Sequence, residues 1–201
     1  MDTELSVRQA EAADKAALQE VIDRSFPRFF RFFAWRSLRS KQGQVLVGEV
    51  DGAVVGFAKL IEFCVGGVKY GCILWLAVHP DHRRRGIASA LVKAGTEELR
   101  REGAKAVFAS ALRTNTASLN TFAKEDFQRV GFLGLRRLFG WNLFRLYRDI
   151  WYAPGEAVLM HASPCDTEMP KQVYGFEEFF WSGEQDLNLR QLGVCGLCRL
   201  E

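Results

Sequence analysis

The residues best suited to chemistry in this chain stand together at positions 83–89, Arg83-Arg84-Arg85-Gly86-Ile87-Ala88-Ser89. Three guanidinium groups precede a glycine and then the apolar periodicity of a helix. That order brings unpaired backbone N–H groups and fixed positive charge to one point, and such a point binds phosphate. Cys195 and Cys198 form a single Cys-x-x-Cys. A zinc site needs a second pair or nearby histidines, and neither follows, so no metal centre is expected.

The phosphate loop requires a strand before it and a helix after it. Ile73 to Val78 is an apolar, β-prone run that stops at His79-Pro80, and Ile87 to Arg101 is helical, with Ala88, Leu91, Val92 and Leu99 on one face. Upstream, Val45–Val50, Asp51-Gly52 and Val54–Cys64 read as a hairpin, since Asp-Gly supplies the positive φ angles of a tight turn. Gly66-Gly67 then turns the chain into the strand 69–78. Leu5 to Ala10 reads as a first strand, and Asp14 as the cap of a helix over 15–25 with Leu18, Val21 and Ile22 inward. Downstream, Gly103 ends the long helix, Ala104 to Leu112 is a strand, Leu119 to Lys124 a short helix, and Val158 to His161 a last strand.

Two segments are both aromatic and basic. Residues 28–41 set Phe29, Phe30, Phe32, Phe33 and Trp35 among four arginines and Lys41, without an acid. This is a helix laying aromatics on the sheet, or a contact for an anionic or amphipathic partner such as a membrane surface. Residues 133–152 repeat the composition, with a periodicity that fits strand or helix equally.

At 201 residues, with 48% hydrophobic and 25% charged residues, the chain is long enough for one domain with a sizeable core. It has no transmembrane run and no signal-peptide pattern, and its five cysteines lack a framework spacing, so a reducing cytoplasmic setting is expected. A net charge of +3 is too small to argue for nucleic acid. Residues 163–201 carry seven acids against three bases, so the tail is acidic and the body basic. That tail shows no independent core. Its Trp181–Arg190 stretch resembles peptides made when a reading frame runs into a tRNA gene, so it reads as either an irregular segment or a read-through extension.

The loop and its flanks resemble the GNAT superfamily of acetyl-CoA-dependent N-acetyltransferases. The family signature is Arg or Gln, two residues, Gly, one residue, then Gly or Ala; Arg83, Gly86 and Ala88 fill it, after Val78-His79-Pro80. A later family motif, an Asn after the fifth strand and a short helix with an aromatic, is matched by Asn115, Ser118 and Phe122, with Asp126 where glycine is usual. A second register uses Asn120, Ala123, Phe127 and Gly131-Phe132; the first is preferred because it places the Asn just beyond the strand. The resemblance covers roughly residues 3–162. It implies an α/β fold with a mixed, mostly antiparallel sheet, splayed between strands 4 and 5 and carrying helices on both faces.

The resemblance also implies a chemistry. Acetyl-CoA and an amine meet in one ternary complex and the acetyl group moves directly, with backbone of Leu76, Ala77 and Val78 holding the pantetheine arm. Arg83, Arg84, Arg85, Gly86, Ile87, Ala88 and Ser89 would hold the pyrophosphate, and Asn115, Ser118 and Phe122 would border the coenzyme. Many members carry Tyr where this chain has Phe122, and Phe has no proton to give. The thiolate then leaves unassisted, or Tyr147 or Tyr152 supplies the proton. Strand 69–78 has no carboxylate, so a protein base must come from elsewhere: Glu62, the choice here, or Glu49, His79 or His161. The acceptor is a small-molecule or peptide amine, a homodimer is compatible with the family, and a coenzyme-binding domain without catalysis is the alternative.

Overall fold

The computed structural model describes residues 4–162. The expectations placed on the tail, 163–201, and on its cysteine pair lie outside the described residues. Among the described residues seven strands form one sheet in the order β1 (Leu5–Gln9), β2 (Gln44–Val50), β3 (Ala53–Val65), β4 (Val68–Val78), β5 (Ala106–Leu112), β7 (Glu156–Ala162), β6 (Gln128–Arg129). Every neighbouring pair is antiparallel except β4 and β5. The β2–β3 connection is the two-residue turn foreseen, with Asp51 and Gly52 at φ of 51° and 80°.

Among the described residues six α-helices flank the sheet: α1 (Lys15–Ser25), α2 (Arg28–Arg39), α3 (Ile87–Arg101), α4 (Thr116–Lys124), α5 (Phe132–Phe139) and α6 (Leu143–Asp149). Strand alternation on β3 assigns them to faces. Ala58 and Leu60 pack with Ile87, Leu91 and Leu99 of α3 and with Leu119 and Phe122 of α4. Phe57, of opposite parity, packs with Val21 and Ile22 of α1 and Ala34 of α2. Ile61 and Phe63 share that parity and pack with Leu135, Phe139 and Leu146 of α5 and α6. Helices α1, α2, α5 and α6 therefore share the face opposite α3 and α4.

Two glycines let α3 lie close to the sheet. A Cβ on Gly95 would stand 2.8 Å from Leu60 Cδ2, and one on Gly71 would stand 2.9 Å from Leu99. The fully buried Leu60, Leu91 and Leu99 each contribute roughly 1.5–3 kcal/mol by leaving water.

Three sequence expectations change. Asp14 stands at the start of α1 without capping it; its carboxylate accepts from the Glu11 N–H at 2.7 Å and from both terminal nitrogens of Arg8 at 2.8 and 2.9 Å. The pull of the Arg8 cation outweighs a neutral N–H as a partner for this carboxylate. Helix α2 turns Ala34 and Ser37 inward and leaves Phe29 and Phe32 exposed, so those aromatics do not lie on the sheet. Residues 132–149 resolve as helices because Leu135, Phe139, Leu143 and Leu146 recur at three- and four-residue spacing and are the buried ones.

Candidate active site

Strands β4 and β5 face each other through Gly71–Val107, Cys72–Phe108 and Ile73–Ala109, and there the pairing ends. Beyond it β4 runs on to Val78 with β3 alone, while β5 stays paired with β7 as far as Leu112. On the β3 side the register jumps from Lys59–Trp75 to Leu60–Ile73, which leaves Leu74 without a partner. A bulge of this kind bends its strand, and it sits at the residue where the two strands part.

The gap is lined by backbone. The His79 N–H donates to the Val55 carbonyl at 2.8 Å. Counting back through an antiparallel ladder, Ala77 and Trp75 turn their N–H and C=O groups toward β3, and Leu76 and Val78 turn theirs away from it, into the gap. The Val78 carbonyl accepts from Ser25 Oγ at 3.1 Å and from Arg83 Nε at 3.2 Å. The Val78 N–H and both backbone groups of Leu76 are thus offered to the gap, while the buried Ala77 packs toward α1 and α2.

At the end of β4 a single 3-10 turn, Pro80–His82, leads into the arginine loop. Arg84 and Gly86 have φ of 61° and 80°, and α3 begins at Ile87. The N–H groups of Ile87, Ala88 and Ser89 belong to a first helical turn and have no acceptor within the helix. Gly86 has no side chain to cap them, and a Cβ there would have nothing within 4 Å. Ile87 pins this end of α3: its side chain is buried where Gly48 and Gly56 leave room, a Cβ on either lying 3.0 and 3.3 Å from Ile87 Cγ2. The three arginines are not equivalent. All three are exposed at the loop, but Arg83 is tethered back to the Val78 carbonyl.

Asn115, the asparagine of the first register, lies just beyond β5. Asn115 caps α4, its Oδ1 accepting from the Ser118 N–H at 3.1 Å, and Asp126 takes a φ of 60°, a conformation comfortable for glycine. Asn120 sits inside α4 and is exposed. Phe122 is buried, edge-on to Phe127 with ring centroids 5.1 Å apart.

A splayed parallel strand pair whose open end meets an uncapped helix N-terminus is the observed frame, and the sequence agrees with it. The family model for the acetyltransferase (GNAT) family matches residues 9–132, more than half of the chain. The chain belongs to the GNAT family. An N-alpha-acetyltransferase of Sulfurisphaera tokodaii is 26% identical over 171 residues, 80% of this chain and 93% of that protein. A PaiA N-acetyltransferase from Thermoplasma acidophilum, solved with coenzyme A, shares the fold at a TM-score of 0.59 and 14% identity, over 80% of this chain and 99% of that one. YncA of Salmonella typhimurium, solved with acetyl-CoA, shares it at 0.52 and 21% identity, over 80% and 98%.

In this GNAT acetyltransferase the candidate bases are not brought to the gap. Glu62 faces Gly71, five residues before Leu76, or about 17 Å along the strand. It is held by Lys69 Nζ at 2.6 Å beside Glu102, whose carboxyl is raised above its usual range chiefly by Glu62. That environment is structural, and too distant for proton transfer to a group at Leu76. Glu49 accepts from Arg8 Nη2 at 2.6 Å, and His79 is turned to Asp81 with Nδ1 accepting at 3.4 Å. His161 lies against Arg100, and burial and that cation lower its pKa. Tyr147 and Tyr152 stack at 4.5 Å, and the Tyr152 hydroxyl donates to the carbonyl of Glu156, which pairs with Leu112 at the end of β5. Burial and the neighbouring Tyr152 push the Tyr147 phenol up to about 12. The bulge at Leu74 was missed by sequence reading, because nothing in Ile73-Leu74-Trp75 departs from an ordinary strand.

Proposed function

We propose that this GNAT enzyme moves an acetyl group from acetyl-CoA to a primary amine by direct transfer in a ternary complex. The observation that carries the reading is the loss of pairing beyond Ile73–Ala109, at the end of β4 that leads through the arginine loop to the uncapped start of α3. The residues present fit the coenzyme: an open strand edge for the pantetheine amides, and an uncapped helix start at Gly86 with open space before it. The Val78 N–H and the backbone of Leu76 pair with the pantetheine arm as a further strand would. The N–H groups of Ile87, Ala88 and Ser89, with Arg84 and Arg85, hold the pyrophosphate. Asn115, Ser118 and Phe122 border the coenzyme from α4.

The coenzyme supplies the activated thioester carbonyl. The backbone N–H groups at the bulged end of β4 orient that carbonyl and stabilise the negative charge that develops on its oxygen. The side chains of Leu74 to Val78 are apolar apart from the indole of Trp75, so water takes the proton from the incoming ammonium. Glu62 holds Lys69 and takes no part in transfer. Phe122 packs, and the thiolate, a good leaving group, departs without a protein acid.

The acceptor is an amine bearing a carboxylate or an apolar body, with a peptide N-terminus included. Basic and aromatic helices α2, α5 and α6 give this face of the sheet a positive potential over apolar walls, which steers such amines in and repels polyamines. The relative named as an N-alpha-acetyltransferase supports the peptide form of the acceptor. A cytoplasmic setting fits a free amine and acetyl-CoA as substrates. Thiol release from acetyl-CoA, measured with spermidine and with an acidic peptide at two ionic strengths, tests the reading. The peptide gives the higher kcat/KM, and added salt narrows the difference. Better turnover of spermidine overturns the acceptor assignment; tight coenzyme binding without amine-dependent release makes the domain a binding module.

A further inference from the structure

We propose that the layer formed by α2, α5 and α6 docks on an anionic lipid surface. This inference draws on the same three helices as the acceptor reading above, but vesicle binding is measured without coenzyme or amine and so is read separately from it. Large apolar side chains left in water are concentrated in this layer: Phe29 is 69% exposed, Phe32 66%, Trp141 86% and Phe144 65%. Phe132 and Leu133 at the start of α5 join them. Within α2, Phe29, Phe30, Phe33 and Phe32 touch ring to ring, and contiguous exposed aromatic surface marks an interaction site.

The two halves of the patch lie on one side of the molecule. Phe57 contacts the α1–α2 cluster, and Ile61 and Phe63 contact the α5–α6 cluster; all three are odd-numbered positions on β3, and so point to the same face. Within α2 the outward stripe is Phe29, Phe32, Arg36, Arg39, at helical spacing, with Ala34 and Ser37 turned inward.

Charge selects the occupant. Residues 28–41 hold four arginines and one lysine, residues 132–148 hold four arginines, and neither stretch contains an acid. Asp23 approaches Arg31 at 4.0 Å, and Asp149 approaches Arg148 at 2.8 Å, so part of this charge is met from the flanks. Arg136 lies over the Trp141 ring at 5.8 Å. A second copy docking through the same patch would set arginine against arginine. An anionic bilayer surface complements both properties, taking the aromatic rings among its headgroups and the guanidinium groups against its phosphates. The helices are 12, 8 and 7 residues long, too short to cross a bilayer and suited to lie along its surface.

The test uses the full chain, sedimented with vesicles of phosphatidylcholine alone and of phosphatidylcholine mixed with phosphatidylglycerol. Partition rises at least about tenfold with phosphatidylglycerol and falls with added salt, as each arginine near such a surface is worth about fivefold. Replacing Phe29, Phe32, Trp141 and Phe144 with serine lowers partition by at least about tenfold, and these positions are exposed, so an unchanged melting curve checks the fold. R136Q with R137Q lowers partition into the anionic vesicles by at least about tenfold and leaves binding to phosphatidylcholine alone unchanged. Equal binding to both vesicles overturns the proposal. So does an absence of binding to either, whether a second copy or residues 163–201 then cover the patch; a dimer that the serine variant dissolves assigns the first.

Discussion

Ile73 and Ala109 are the last facing pair between β4 and β5, and the very next residue, Leu74, bulges out of the β3 ladder. The two irregularities coincide because one causes the other's geometry. A bulge bends β4 away from a neighbour whose own ladder with β7 stays regular through Leu112. What opens is a strand edge with unpaired polar backbone, which a coenzyme carrying two amides can satisfy.

Glu62→Gln tests whether the candidate base is structural. Its ion pair with Lys69 and its distance from Leu76 predict kcat within about threefold of wild type, against the loss of about 100-fold or more that removing a general base produces. The pairing with Glu102 predicts a stability effect with a definite sign. Glu102 is raised in the folded state, so its contribution is present at low pH and lost as pH rises through its folded value. Replacing Glu62 by Gln removes the repulsion and so makes stability fall less on going from pH 4 to pH 7, measured by thermal melting.

Phe122 makes a separate prediction about the leaving group. If thiolate departs without a protein acid, Tyr147→Phe and Tyr152→Phe leave kcat within about threefold at neutral pH, and KM for acetyl-CoA changes little. A fall of about 100-fold in kcat for either would make that tyrosine the acid, and the pH-rate profile would lose its alkaline limb.

The loop and its two neighbours were legible in the sequence because their signals are local. An apolar run, a proline, three arginines and a glycine before a periodic helix fix strand, loop and helix N-terminus without reference to the rest of the chain. The hairpin turn at Asp51-Gly52 was legible for the same reason. The direction of α2 was legible only in part: Trp35 and Leu38 pack on the core, but Phe29 and Phe32 stay exposed, since the small Ala34 and Ser37 are the residues turned fully inward. The partners of Asp14 and Glu62 were equally hidden, because Arg8 with Glu49 and Lys69 with Glu62 are set by strand register.

Asp14→Ala destabilises the fold by about 2 kcal/mol, by taking the acceptor from the part-exposed Arg8 guanidinium and from the Glu11 N–H. Hydrogen bonds from Arg8 hold the Asp14 carboxyl below its ordinary range. A carboxylate lowered by folding adds stability above its unfolded pKa and loses it as pH falls through the folded one. The gap between wild type and variant is therefore full at pH 7 and closes below about pH 4, which urea melts at several pH values will show.

Lys59→Met is expected to stabilise. Lys59 is 1% exposed, its Nζ reaches only the Ser40 carbonyl at 3.4 Å, and burial lowers its pKa. A lysine lowered by folding costs stability wherever the unfolded chain binds the extra proton. The gain, about 1 kcal/mol, is largest at neutral pH and disappears above about pH 10.4. A variant less stable than wild type at pH 7 would show that Nζ anchors the end of α2.

Calorimetric titration of acetyl-CoA into wild type and Gly86→Glu tests the central claim most directly. Gly86 stands at φ 80° with open space where its Cβ would be, so a glutamate places a side chain and a negative charge where backbone must meet pyrophosphate. Gly86→Ala is the control, since it adds only the strain of the left-handed backbone, about 1 kcal/mol. The account predicts tight binding by wild type, a modest loss for alanine and a loss of at least about 100-fold for glutamate, with all three proteins folded. Unchanged affinity in a folded Gly86→Glu protein would contradict it.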